Sequence, residues 1–305
     1  MRKILLASLA CATALALSTA AHAEEPPLVN WSALLPGLSS GYEPSDANDC
    51  KAGRIQCVDA VIREMTRRFD GQAETCDHDA IFALSYLRTT EEYRRAAATS
   101  GFFEDPGFVN HEDAVFARYY FDAYDAWERG DSDEVPPAWR TALRAADDRA
   151  VSATGNMLLG INAHIQRDLP FVLAEIGLVK PDGSTRKTDH DKVNAFLNKV
   201  SDDLIPEIAR RFDPTVDDGD LPTWIDELAT FQAVPAWRET AWRNAEALVN
   251  APTPAARALV EDEIETYADS QAKLIRSATA YPPLADLLGR GTRVRDAYCA
   301  DNWQE

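Results

Sequence analysis

The chain has 305 residues, with 50 Asp and Glu against 31 Lys and Arg, and a formal net charge of −19. A surface this acidic repels phosphate backbones and anionic lipid heads, which argues against nucleic-acid binding. The length suffices for one large core or two small ones.

Residues 1–23 read as a secretory signal peptide rather than as fold. Arg2 and Lys3 precede an apolar run from Ile4 to Leu17, and Ala21-His22-Ala23 is a small-residue cleavage site. Cleavage before Glu24 would remove Cys11 and His22, and losing Arg2 and Lys3 would move the net charge from −19 to −21. The expected location is therefore periplasmic or secreted. No later stretch reaches the roughly 20 apolar residues that a membrane span needs. Cys50, Cys57, Cys76 and Cys299 remain, an even count that suggests two disulfides in an exported chain. Three pairings are open. We expect Cys50–Cys57 to close a short loop and Cys76–Cys299 to tie the C-terminal tail to the body.

Residues 24–52 are rich in Pro, Gly, Ser, Asn and Asp and read as an extended N-terminal arm. From about residue 53 to 305 the pattern is helical. Val58, Val61, Ile62, Met65 and Phe69 recur at three- and four-residue steps and form one apolar face. Asp77 can cap a second helix that runs to about Thr99, and Asp105-Pro106-Gly107 should turn the chain. A third helix is expected over 109–129 and a short piece around Trp139 after Pro136-Pro137. The central helix is expected from Ser152 to Ile176, with a kink near Asp168 because Pro170 removes a backbone donor. Beyond a turn at Gly183–Thr188, helices are expected at 189–212, 222–232, 235–249 and 253–280, with an acidic loop at 213–220. Strand-like alternation is almost absent. The expected class is all-α, a single multi-helix bundle around the central apolar helix, stapled by disulfides.

The run Gly155 to Pro170 is the most apolar outside the leader, yet it carries Asn162, His164 and Asp168. His164 and Asp168 are four apart and share one helix face. Buried, each costs several kcal/mol unless paired or ligated. The same spacing lets one helix present two metal ligands. A divalent metal such as zinc would then need partners beyond His164 and Asp168, and His78 and then His190 are the candidates. Alternatively His164, Asp168 and Asn162 form a catalytic acid–base set, or a structural clasp that satisfies the core. His111 lies at another acidic helix start, read as dipole-favoured. Tyr119, Tyr120, Phe121 and Tyr124 are read as core, or as a wall that stacks a planar ligand. No G-x-S-x-G elbow, P-loop or dinucleotide glycine motif is present.

The run Asn162-Ala163-His164-Ile165-Gln166-Arg167-Asp168-Leu169-Pro170 resembles the central N-A-H-I-N-H-D-L-P motif of the bacterial family called domain of unknown function 5995. Tyr86 to Glu91, Gly101-Phe102-Phe103 with Asp105-Pro106, Val115 to Phe121, His190 to Asn194 and Ala241 to Ala245 fit the same family in order. The family's second motif histidine is Arg167 here, which removes any role needing two histidines on that turn. Zinc-dependent phospholipase C is similar only in its H-x-x-x-D spacing. Its Gly before the Asp is Arg167 here, and its Gln-Pro-x-His is replaced by Phe171 to Ala174. Two functional classes follow. The first is a hydrolase-like enzyme with a metal or a His–Asp acid–base pair on the central helix. The second is a non-catalytic protein that binds a small apolar molecule or a partner in an aromatic-lined groove.

Overall fold

The computed structural model describes residues 41–216 and 233–304, the Asn198 side chain excepted. The leader, most of the arm, the expected helix 222–232 and part of the acidic loop lie outside the described residues. What remains is an all-α bundle held by two disulfides, Cys50–Cys57 and Cys76–Cys299, as the cysteine pattern predicts. Among the described residues the only β pairing is two isolated bridges, Val151 with Ala280 and Val179 with Thr185. No described helix is long and apolar enough to cross a membrane.

Helix α1 (Ile55–Glu74) buries the expected stripe of Val58, Val61, Met65 and Phe69 against α2 (Ala80–Ala97). Asp77 does not open α2 as its N-cap. Its carboxylate accepts from the Asp79 amide at 3.0 Å, and the helix begins at Ala80. Helix α3 (Pro106–Glu128) starts earlier than the sequence suggests. Asp105-Pro106-Gly107 is its entry rather than a free turn, with Asp105 accepting from the Phe108 amide at 3.1 Å and Pro106 in the first turn. Helix α4 (Pro137–Asp147) places Trp139 in the core.

The centre is α5 (Ala153–Asn162), all ten residues of which are buried. Ser152 caps it by accepting from the Gly155 amide at 3.2 Å. Gly155 and Gly160 are required here by close approach. A Cβ at Gly155 would meet the Thr279 side chain, and one at Gly160 would run into the Phe82 ring. The expected continuous helix to Ile176 is instead three pieces. A π-helical segment, Ala163–Asp168, follows α5, and α6 (Leu169–Ile176) follows that. The Leu169 amide bonds to the His164 carbonyl, five residues back. Pro170 explains the change, because it has no N–H for the Gln166 carbonyl and its ring would crowd that oxygen in an α-helix.

The expected helix 189–212 divides at Val193 into α7 (Lys187–Lys192) and α8 (Asn194–Arg211). Helix α9 (Val234–Asn250) and α10 (Pro254–Thr279) match the expected pair, and Thr253 caps α10 at the Ala256 amide. The sequence reading foresaw no helix after 280, but α11 (Thr292–Asn302) is there and carries Cys299 to the end of α1. Residues 41–52 are successive turns rather than an extended arm.

Candidate functional site

The π segment holds the polar residues that the apolar run should not carry. His164 Nδ1 lies 3.1 Å from Asp168 Oδ2. Asp168 is fully buried and receives two further donors. Trp139 Nε1 donates to Oδ2 at 2.8 Å, and Arg167 Nη1 to Oδ1 at 3.0 Å. Arg167 in turn donates from Nε to Glu265 on α10 at 2.8 Å. Donors from a guanidinium and an indole thus reach both carboxylate oxygens and offset the cost of burying them. The remaining contact of Asp168 assigns the histidine tautomer: Nδ1 carries the proton and donates, which leaves Nε2 with the free lone pair. Burial holds the imidazole below its ordinary pKa, with Asp168 opposing that shift. His164 is therefore neutral at neutral pH.

Nε2 of His164 is buried and has no hydrogen-bond partner among the described residues. The residue belongs to the wall of a cavity of about 100 Å³, lined from α2, α3, α5, the π segment, α8 and α9. Most of the wall is apolar, from Phe82, Phe116, Ile161, Phe196 and Leu197 among others. Into it also face Tyr86, Glu112, Asp113 and Arg238. The Tyr86 hydroxyl, Asp113 Oδ2 and Arg238 Nε are each buried and without a partner among the described residues. Burial, then the neighbouring Glu112, pushes the Asp113 carboxyl up to about 8. Burial likewise raises the Tyr86 phenol well above its ordinary value. A neutral imidazole with a free lone pair thus shares a cavity with a carboxyl that is protonated at neutral pH. That is the division of roles that acid–base chemistry uses. The wall's hydroxyls are not nucleophiles in waiting. Ser85, Thr89 and Thr90 donate back to the carbonyls of Ile81, Ser85 and Tyr86 at 2.7, 2.8 and 3.0 Å.

Of the residues singled out from sequence, only His164 and Asp168 are brought together, and they bond to each other instead of converging on one point. Asp168 is behind the imidazole and is no part of the cavity wall, so the two do not co-ligate an ion there. Asn162 works elsewhere. It donates to the Ala268 carbonyl at 2.9 Å and accepts from Gln166 at 2.8 Å, tying α5 to α10. His78 is no third ligand in this wall. Its Nε2 is 2.9 Å from Asp296 on α11, the helix that sequence reading did not foresee, and burial next to Arg295 pushes the ring down to about 3. His190 has both ring nitrogens engaged by one residue. Nδ1 lies 3.2 Å from Arg238 Nη2, and Nε2 lies 3.2 Å from the Arg238 carbonyl. Among the described residues, no three His, Cys, Asp or Glu side chains gather to hold a metal ion, so the grouping of His164, Asp168, His78 and His190 is not formed. His111 Nδ1 lies 2.9 Å from the Cys50 carbonyl.

Of the aromatics at 119–124 none lines this cavity, and the core reading holds for Tyr120, with Phe121 and Tyr124 packed against the core. Tyr120 packs in the core, Tyr119 donates to Glu175 at 2.9 Å, and Phe121 lies beneath Arg68. From that helix it is Phe116, one turn earlier, that lines the cavity. Sequence reasoning passed over Tyr86, Asp113 and Arg238. In sequence Asp113 stands beside His111 and Glu112 in a run that reads as an ordinary acidic helix start. Its one signal was its position three residues before Phe116, on the same face of an aromatic helix.

A family model described as a family of unknown function matches residues 58–278, a span that holds the π segment and every cavity residue. No curated protein and no solved structure matches the chain.

Proposed function

Because the chain belongs to a family of unknown function, DUF5995, whose description names no activity, we propose its function from the cavity: an acid–base enzyme that hydrolyses a small, mostly apolar substrate. One observation carries this reading. The buried Nε2 of His164 has no partner among the described residues, and it belongs to a cavity-lining ring whose other nitrogen is fixed by Asp168. His78 Nδ1 and His111 Nε2 are also buried without a partner among the described residues, but neither residue lines this cavity, whereas His190 has both nitrogens engaged. π segments interrupting α-helices are frequent at functional sites, which supports the same reading.

In this scheme His164 Nε2 takes a proton from a water molecule as its oxygen attacks the scissile bond. Asp113, protonated, gives its proton to the leaving group. Asp168 stabilises the imidazolium formed in between, and the Tyr86 hydroxyl offers a hydrogen bond to substrate. We place the enzyme outside the cytosol. Two disulfides and the leader-like N-terminus support that placement.

The test is turnover of a panel of small acyl esters, lactones and amides by the wild type, His164→Ala and Asp113→Asn. The wild type should turn over at least one member, and His164→Ala should lose at least about 100-fold in kcat/KM while remaining folded. Equal turnover by a folded His164→Ala would overturn the reading. Binding of panel members with no turnover by the wild type would replace it with a ligand-binding role, which the apolar wall also suits.

A further inference from the structure

We propose that Arg238 is an anion receptor, and that the molecule taken by this cavity carries a carboxylate which pairs with its guanidinium. The inference rests on the cavity being a ligand site and adds the chemical class of what enters it.

Arg238 is 5% exposed and stands in the cavity wall. A buried guanidinium normally faces a carboxylate, because an uncompensated charge in an apolar interior is costly. Arg186, 3% exposed, meets Asp105 at 2.9 Å. Arg238 has no such partner among the described residues within 4.0 Å. Its Nη2 contacts are to uncharged groups of one residue, the His190 carbonyl at 2.8 Å and His190 Nδ1 at 3.2 Å, and Nε has none. Glu112 is the acidic group that most favours its charge, and its Oε1 sits 4.0 Å from His190 Nδ1. Arg295 also lacks a carboxylate partner among the described residues, but its Nη1 is held by the Val151 carbonyl and Asn156, and it is not in this cavity's wall. Among the described residues Arg238 alone thus combines a wall position, an unmet donor and a buried charge without a carboxylate partner. Burial lowers its hold on the proton, with Glu112 and Asp191 acting in the other direction. A ligand carboxylate would supply the missing counter-charge and accept from Nε, and the apolar wall would take the rest of the molecule. Placed so, the carboxylate anchors the substrate while His164 works on a bond elsewhere in it.

Calorimetric titration at pH 7 tests this with acetate, butyrate and benzoate, each against its own neutral amide. At least one acid should bind the wild type ten-fold or more tighter than its amide. Arg238→Met should abolish that preference, and Arg238→Lys should keep part of it. His164→Ala should still bind the acid, since it removes the proposed base and leaves the anchor. No binding by any acid, equal binding of acid and amide, or an unchanged preference in Arg238→Met would each overturn the proposal. Should Arg238→Met fail to fold, the acid–amide comparison on the wild type decides alone. Turnover of neutral esters without an acid preference would remove the anchor and spare the enzyme. Acid binding in a protein indifferent to His164→Ala in every assay would do the reverse.

Discussion

The imidazole of His164 lies flat on the ring of Phe116, with centroids 3.5 Å apart and planes within 7° of parallel. Tyr86 closes on the same imidazole at 4.3 Å, with its plane 60° away. With Nδ1 held by Asp168 and the ring stacked on Phe116, the imidazole keeps one orientation and needs no reorganisation during a reaction.

Asp168 is the hub of this arrangement, and its loss should cost more than that of the histidine it orients. Asp168→Ala strands the Trp139 indole, the Arg167 guanidinium and the His164 ring at once, which should destabilise by about 3–5 kcal/mol. His164→Ala leaves Asp168 with two donors, so about 1–3 kcal/mol is expected. Urea unfolding of the two variants measures the order. A His164→Ala protein less stable than Asp168→Ala would show that the carboxylate is not the hub.

All four described histidines are held below their ordinary pKa, His78 to about 3, and burial leads in each case. The unfolded chain binds protons near pH 6.5 that the folded one refuses, so the folded state loses ground as pH falls below that value. Melting temperature should therefore decline from pH 6.5 towards pH 4. Asp79 and Asp113, held protonated by burial, oppose this trend, so the decline should be steeper in Asp79→Asn and Asp113→Asn. A flat profile in both variants would show that the histidine rings charge in place.

Asp113 acts with the opposite sign. Its folded pKa is raised to about 8 from an ordinary 3.8. The stabilisation from holding that proton is complete below about pH 4 and is lost as pH rises towards 8. Asp113→Asn should therefore melt higher than the wild type at pH 8 and about level with it at pH 4. In the proposed reaction the same titration ends activity on the alkaline side, so the wild-type kcat/KM should fall near pH 8. Unchanged activity through pH 9 would exclude Asp113 as the acid.

Gly160 is where α5 meets α2. A methyl group there must displace the Phe82 ring, which also touches Trp139 and His164. Gly160→Ala should cost about 1–3 kcal/mol by overpacking, despite the better helix propensity of Ala. Thermal melting that shows Gly160→Ala to be as stable as the wild type would mean that the ring moves freely.

Apolar periodicity made the bundle and most helix bounds legible, because stripes such as Val58–Val61–Met65–Phe69 admit one packing face. The cysteine pairing was legible because a seven-residue spacing leaves a local loop for Cys50 and Cys57. Helix α11 was not, since Thr292 to Asn302 has only two buried residues, Arg295 and Cys299, and no stripe. The polar content of the π segment marked the site, but its partners come from α2, α3 and α9, as much as 78 residues before His164 and 74 after it, and no local spacing encodes such encounters. His78 looked like a partner because acids flank it in sequence. The acid it meets is Asp296, 218 residues away.

The π segment also has a meaning for how the chain is threaded. Every residue of an α-helix advances the azimuth by about 100°, so one extra residue in a turn rotates everything downstream by that angle. Before the segment, Met157, Leu158 and Leu159 belong to the main core. After it, Leu169 and Leu173 join Trp242 in a second cluster, while Val172 and Ile176 join Phe108 and Val115 in a third. The extra residue thus works as a gear change that lets successive segments of one rod serve three core clusters that meet at Phe116. Excising a single residue between Ala163 and Gln166 would return the rod to one azimuth and turn Leu169 and Leu173 away from Trp242. In that sense the length of this stretch is as much a part of the fold's specification as its composition.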